Sequence, residues 1–156
     1  MFEKRRYRPL LCSGFFLGSI IFCTAPVLAV PNITASAAPG ATALPLGDSG
    51  GSPVIQKAAD VQVSTVDPNG LTLSILPGSL TKTDGAPIAL QFLAVANGAA
   101  IPNASAFVTD SSSTYTFATS GAGTDNLDLY IKYTPAALQD PGNYNLTIQL
   151  SVADNP

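Results

Sequence analysis

Histidine and tryptophan are absent from this 156-residue chain, and methionine occurs once, as Met1. Arginine (Arg5, Arg6, Arg8), cysteine (Cys12, Cys23) and glutamate (Glu3) all stop before residue 30. From Val30 to Pro156 there is no His, Cys, Arg, Glu, Trp or Met. Each absence removes a class of chemistry. Without histidine a serine nucleophile lacks its usual general base. Without His or Cys there is no tight zinc site. Without cysteine no disulfide can staple the domain. Without Trp the strongest sugar-stacking platform is missing. Lys57, Lys82 and Lys132 stand against nine aspartates, at 48, 60, 67, 84, 110, 125, 128, 140 and 154, a net charge of −6 over Val30–Pro156. That balance points away from nucleic acid and anionic membranes, which select for Lys and Arg. The expectation is a protein that is not an enzyme and needs no cofactor.

What the first 29 residues do contain is an address. Lys4, Arg5, Arg6 and Arg8 precede an almost wholly apolar run, Leu10–Leu28, that closes on Val27-Leu28-Ala29. A basic head, an apolar middle and a small-residue exit make a secretory signal peptide, expected to be cleaved after Ala29. About 20 apolar residues would just span a bilayer, but Pro9, Pro26, Gly14 and Gly18 suit a cleaved signal better than an anchor. The lipoprotein pattern fails because Leu11 and Phe22 precede the cysteines. A prepilin site at Gly14-Phe15-Phe16 lacks its acidic residue, with Ser19 in that place, and Arg8-Pro9 spoils a twin-arginine signal. The expected destination is the cell surface or the medium, by way of a periplasm, with no membrane association after cleavage. An exported domain without cysteine leans towards a bacterial source.

The remainder is one domain by length, and a domain of that size buries about two-thirds of its unfolded surface. Residues 30–53, rich in Ala, Pro, Gly, Ser and Thr, read as a flexible or extended arm. Within it Ile33, Ala35 and Ala37 alternate with polar residues, a faint strand signal. From Val54 the pattern becomes repeated short strands. Val61–Val66 and Leu71–Ile75, joined by Asp67-Pro68-Asn69-Gly70, are predicted to pair as a hairpin. Ile88–Val95 is nearly continuous apolar, as a central strand buried on both faces would be. Ala104–Val108 is a short strand candidate, Tyr115–Phe117 a further strand, and Gly121–Asn126 a loop. Leu127–Tyr133 and Asn145–Val152 alternate cleanly. Pro135–Gln139 has room for one helical turn, and Asp140-Pro141-Gly142-Asn143 is a tight turn. Tyr144 follows it as a tyrosine that would anchor the preceding connection. About seven strands over 54–156 predict an all-β, immunoglobulin-like Greek-key β-sandwich behind a signal peptide (1–29) and an arm (30–53).

Candidate chemistry is sparse. Gly47-Asp48-Ser49-Gly50-Gly51-Ser52-Pro53 resembles the stretch around the nucleophile of chymotrypsin-like proteases, but no histidine exists to activate Ser49. It reads as a Gly/Ser linker. Calcium needs only oxygen ligands. Asp125, Asn126, Asp128 and Asp110 are the weak candidates, on the assumption that their loops converge at one end of the sandwich. Tyr130, on the face opposite Leu129 and Ile131, is the candidate for sugar stacking; its alternative is cross-strand packing. Asn32-Ile33-Thr34, Asn103-Ala104-Ser105 and Asn145-Leu146-Thr147 match the N-glycosylation pattern, as a chain rich in Asn, Ser and Thr does by chance.

The small-residue arm Val30–Pro53 and the closing run Gly142–Val152 resemble, in layout, the chaperone–usher pilins and spore-coat-U type bacterial surface proteins. The resemblance implies an incomplete sandwich that a neighbour's N-terminal arm completes by strand addition, with Ile33, Ala35 and Ala37 as the donor residues. It also implies self-association or other surface subunits as partners, and a periplasmic chaperone. The disulfide of many such pilins has no counterpart after residue 29. A structural or adhesive surface subunit is therefore the leading expectation. The alternative is a monomeric extracellular module that binds a carbohydrate or a surface protein through loops Asp110–Ser113 and Gly121–Asn126.

Overall fold

The computed structural model describes residues 30–41, 44–46, 51–136, 139 and 143–156. The signal segment, Ser49 and the Asp140–Gly142 turn lie outside the described residues. Nine strands run in the order β1 (Asn32–Ala37), β2 (Val54–Thr65), β3 (Leu71–Ile75), β4 (Ser79–Leu80), β5 (Ile88–Ala89), β6 (Gln91–Ala96), β7 (Tyr115–Ala118), β8 (Gly123–Tyr133) and β9 (Leu150–Asp154). A single 3-10 turn, Ala104–Ala106, is the one helical element among the described residues. The protein is all-β and sandwich-like, and it does not close into a barrel.

Two antiparallel sheets carry the fold, with strand orders β1-β2-β8-β6 and β7-β3-β9; β4 and β5 pair as a small ribbon. The long ladder from Val54↔Tyr133 to Thr65↔Gly123 joins β2 to β8 and is broken once, between Lys57 and Ala59. Period-two alternation turns one set of side chains from each sheet into a shared core. Val61, Val63, Leu127, Leu129, Ile131, Phe92 and Ala94 come from the first sheet, and Leu71, Leu73, Ile75 and Tyr115 from the second. Leu73, Ile75 and Ile131 are completely buried. With no disulfide, this core and the ladders hold the described domain together.

Five expectations change. Val61–Val66 and Leu71–Ile75 do not form a hairpin, since β2 and β3 belong to different sheets. The Gly70 N–H donates to the Asp67 carbonyl at 3.0 Å. Asp, Pro and Gly at first, second and fourth positions suit a type I turn, whose twist splays strands instead of pairing them. The chain thus crosses from sheet to sheet, and the two apolar faces meet through the core. Gly70 sits at φ 85°, where a Cβ would collide with the Thr119 carbonyl.

Ile88–Val95 is not a central strand. Leu90 interrupts it, and β6 is the edge of its sheet. Ala104–Val108 is not a strand, because Asn103 Oδ1 accepts from the Ser105 and Ala106 N–H groups and caps a 3-10 turn instead. β8 begins at Gly123, so the expected Gly121–Asn126 loop is mostly ladder. The arm is not flexible over Asn32–Ala37. It pairs antiparallel with β2, Ile33↔Val63, Ala35↔Val61 and Ala37↔Ala59, and so satisfies peptide groups that β2 would otherwise expose. Leu44 and Leu46 then pack against the core, and the Tyr133 hydroxyl donates to the Pro45 carbonyl at 3.4 Å. Burial pushes that phenol up to about 12.

Candidate functional site

Each side of the sandwich brings together one edge strand from each sheet. On one side β6 meets β7. The Tyr115 hydroxyl of β7 crosses between the sheets, accepting from the Ala94 N–H at 3.0 Å and donating to the Ala94 carbonyl at 3.4 Å. Burial raises its pKa. The 97–113 connection folds over the outer face next to it. Phe107 is buried there, Gln91 Nε2 donates to the Phe107 and Thr109 carbonyls, and Lys132 Nζ lies 5.4 Å from the Phe107 ring centre.

On the other side β1 and β9 also approach each other. Beside that approach, towards the end of β1 and the start of β9, lies an apolar groove of about 320 Å³. Its floor is Ala58 and Ala59 of β2 with Leu129 and Ile131 of β8. Ala35 and Ala37 of β1 form one wall, and Leu146, Ile148 and Leu150 form the other. Residues 143–152 keep the alternation read from the sequence, yet their inward side chains are only half-buried. Alanines at the floor leave the volume that larger side chains would fill.

Both walls are sheet edges. β9 pairs with β3 from Leu150↔Ile75 to Asp154↔Leu71. Ahead of it, Asn145 bridges Thr81 and the Gln149 carbonyl accepts from the Leu76 N–H. No further strand pairs the opposite edge of this run among the described residues. β1 likewise pairs only with β2. Edge strands are normally protected by charge, especially lysine. Here residues 30–46 and 143–153 contain no charged residue at all. The site is thus an unprotected double edge over an apolar trough.

The residues singled out from the sequence fall as follows. Ile33, Ala35 and Ala37 share one face of β1; Ile33 packs against the core, and Ala35 and Ala37, themselves exposed, line the groove of their own domain. Asp110 does not converge with Asp125. It lies near Lys132–Pro135, whereas Asp125 pairs with Val63 near the start of β8, about 23 Å of strand away. Asn126 Oδ1 accepts from Gln62 Nε2 at 2.9 Å. Among the described residues no three carboxylates gather to hold a metal ion.

Asp128 has a different task, one that no local motif reveals. It is buried, and Lys57 Nζ sits 2.8 Å from its Oδ1 and 2.7 Å from Asp60 Oδ1. Asn97 Nδ2 and the Gly98 N–H donate to its two oxygens. The Lys57 hydrogen bond lowers the carboxyl pKa, against the opposing effect of burial, and both aspartates raise the lysine's. The cluster clamps β2 to β8 at the ladder irregularity. Tyr130, between Lys57 and Leu93 in register, is buried and offers no open ring for a sugar. Tyr144 is tied to the preceding connection through Gln139 Nε2, 2.6 Å from its hydroxyl, and its ring lies 5.8 Å from Lys82 Nζ.

The chain matches no protein-family model and no curated protein. No helix among the described residues is long and apolar enough to cross a membrane.

Proposed function

We propose that this chain is a secreted, non-enzymatic structural or adhesive subunit of a bacterial surface assembly, joined to its neighbours by strand addition. The observation that carries the reading is the apolar groove lined by Ala35 and Ala37 on one rim and Leu146, Ile148 and Leu150 on the other, where the sequence has no charge over 30–46 and 143–153. An added strand would complete the ladder along β9 and bury Leu146, Ile148 and Leu150 in one step. In immunoglobulin-like Greek-key terms, the position beside β9 is that of a missing last strand. The secretory signal, the absence of His, Cys, Arg and Glu after residue 29 and the pilin-like layout support the same reading. A periplasmic chaperone would shield the groove before assembly.

The test is a denaturing gel of surface material from the source cells, run unheated and heated. Strand-joined subunits give a ladder that collapses on heating; one monomer band in both lanes contradicts the proposal. A second reading, a monomeric binding module, draws on a larger cleft of about 840 Å³, lined by polar and apolar residues alike, beside Asp110–Ser112 and Lys132–Pro135. Binding on a glycan array by the monomer would favour it.

A further inference from the structure

We infer that Asn97 is a site of slow covalent self-modification in this chain, and that the buried Asp128 carboxylate restrains the reaction. The reaction is cyclisation of the Asn97-Gly98 step to a succinimide, followed by hydrolysis to aspartate or isoaspartate. It does not depend on how the chain is joined to its neighbours.

Asn-Gly steps are the most open to this chemistry, because glycine has no side chain to shield the attacking nitrogen. The chain has two, Asn69-Gly70 and Asn97-Gly98. The glycine nitrogen bonds to the asparagine Cγ, the Cγ–Nδ2 bond breaks, and ammonia leaves with the proton that the glycine nitrogen gives up. Water then opens the ring at either carbonyl. The Asn97-Gly98 turn suits each step. Both residues are exposed to water. Gly98 stands at φ 76°, where even a Cβ would meet no atom within 4 Å.

One side chain opposes the reaction. Asp128 Oδ1 accepts from Asn97 Nδ2 at 2.9 Å, and its Oδ2 accepts from the Gly98 N–H at 3.0 Å. The leaving group and the nucleophile are thus held on separate oxygens of one carboxylate. Lys57 Nζ, 2.8 Å from Oδ1, holds that carboxylate in place. An adjacent anion also disfavours loss of the N–H proton. A carboxylate in such a place could instead act as a base, but the Lys57 hydrogen bond lowers the pKa of this one and makes it a poor base. Asn69-Gly70 is restrained differently. Gly70 is buried, its N–H donates to the Asp67 carbonyl at 3.0 Å, and its Cα is wedged against the Thr119 carbonyl. Packing holds that step, so Asn69 reports on the fold and Asn97 reports on Asp128. A carboxylate formed at position 97 would face Asp128 and loosen the clamp between β2 and β8.

The test incubates the exported protein, purified from a periplasm, in mildly alkaline buffer, both folded and in urea. Peptide mass mapping follows the conversion of Asn97 and Asn69 over time. Asp128→Asn keeps the shape and removes the charge, Asp128→Ala removes both, and melting curves establish that each variant is folded. Folded wild type should convert Asn97 at least tenfold more slowly than the chain in urea. Either variant should speed the folded reaction at Asn97 about tenfold, the worth of one charge-assisted hydrogen bond, with Asn69 unchanged. Conversion of Asn97 in folded wild type as fast as in urea would overturn the inference, as would no change in the variants. Slower conversion in the variants would make Asp128 the base and overturn the restraint. An equal rise at Asn69 and Asn97 would assign the effect to loss of the fold and overturn the role given to Asp128.

Discussion

The two sides of this sandwich use similar ingredients and end differently. Where β6 meets β7, one tyrosine spans the gap, its hydroxyl satisfying both peptide groups of Ala94, and Phe107 is buried nearby. In the groove beside β1 and the run 146–150, alanines stand in place of large residues. One side fills space with aromatic rings, and the other has an apolar trough whose rims carry no charged residue over 30–46 and 143–153. The difference shows that an edge is left open by small side chains and missing charge, not by a weak core, because Leu129 and Ile131, essentially buried, lie under that trough.

The contrast can be broken from the closed side first. Tyr115→Ala removes a buried ring and both hydrogen bonds to Ala94, and should cost about 4 kcal/mol of stability by urea titration. Asp128→Ala comes next. It strands the Lys57 ammonium beside Asp60 alone and leaves the Gly98 N–H without its acceptor, an expected loss of about 2 kcal/mol by the same titration. Because the Asp128 pKa is lowered in the folded state, the stability it contributes is present above the ordinary carboxylate value of 3.8. That contribution is lost as pH falls from there through the folded value. Lys57, raised in the folded state, holds its contribution below 10.5 and loses it only at more alkaline pH. The melting temperature of wild type should therefore drop in acid more steeply than that of Asp128→Ala. Tyr115→Phe keeps the ring and removes only the hydroxyl, leaving Ala94 unsatisfied at a cost of about 1.5 kcal/mol. The smallest effect on the monomer belongs to the open side. Ile148→Ala should cost about 1 kcal/mol, since the side chain is only half-buried, yet it should weaken the heat-sensitive ladder more than any closed-side variant of equal stability.

Much of the strand content was legible in the sequence, and much of the pairing was not. Leu127, Leu129, Ile131 and Tyr133 announce a strand because alternation is a property of one segment. Which strand lies alongside is a property of two, so the apolar content of Ile88–Val95 suggested a centre where the fold has an edge. Val61–Val66 and Leu71–Ile75 looked like hairpin partners because a turn separates them. The type I preference of Asp-Pro-Asn-Gly is the signal that they splay. The groove was half legible. The alternation over 145–152 marked Leu146, Ile148 and Leu150 as one face, but their incomplete burial depends on Ala58 and Ala59, far away in the chain. The Lys57–Asp128 clamp left no local trace, since it depends on the ladder irregularity at Lys57/Ala59.

The most direct measurement is amide hydrogen exchange over residues 146–152, in the isolated subunit and in heat-sensitive surface material. Strand addition predicts that amides on the edge away from β3 exchange rapidly in the isolated subunit and become protected in the assembly, while those bonded to β3 change little. Equal protection of that outer edge in both states would contradict the claim that this side of the sandwich is completed by another chain.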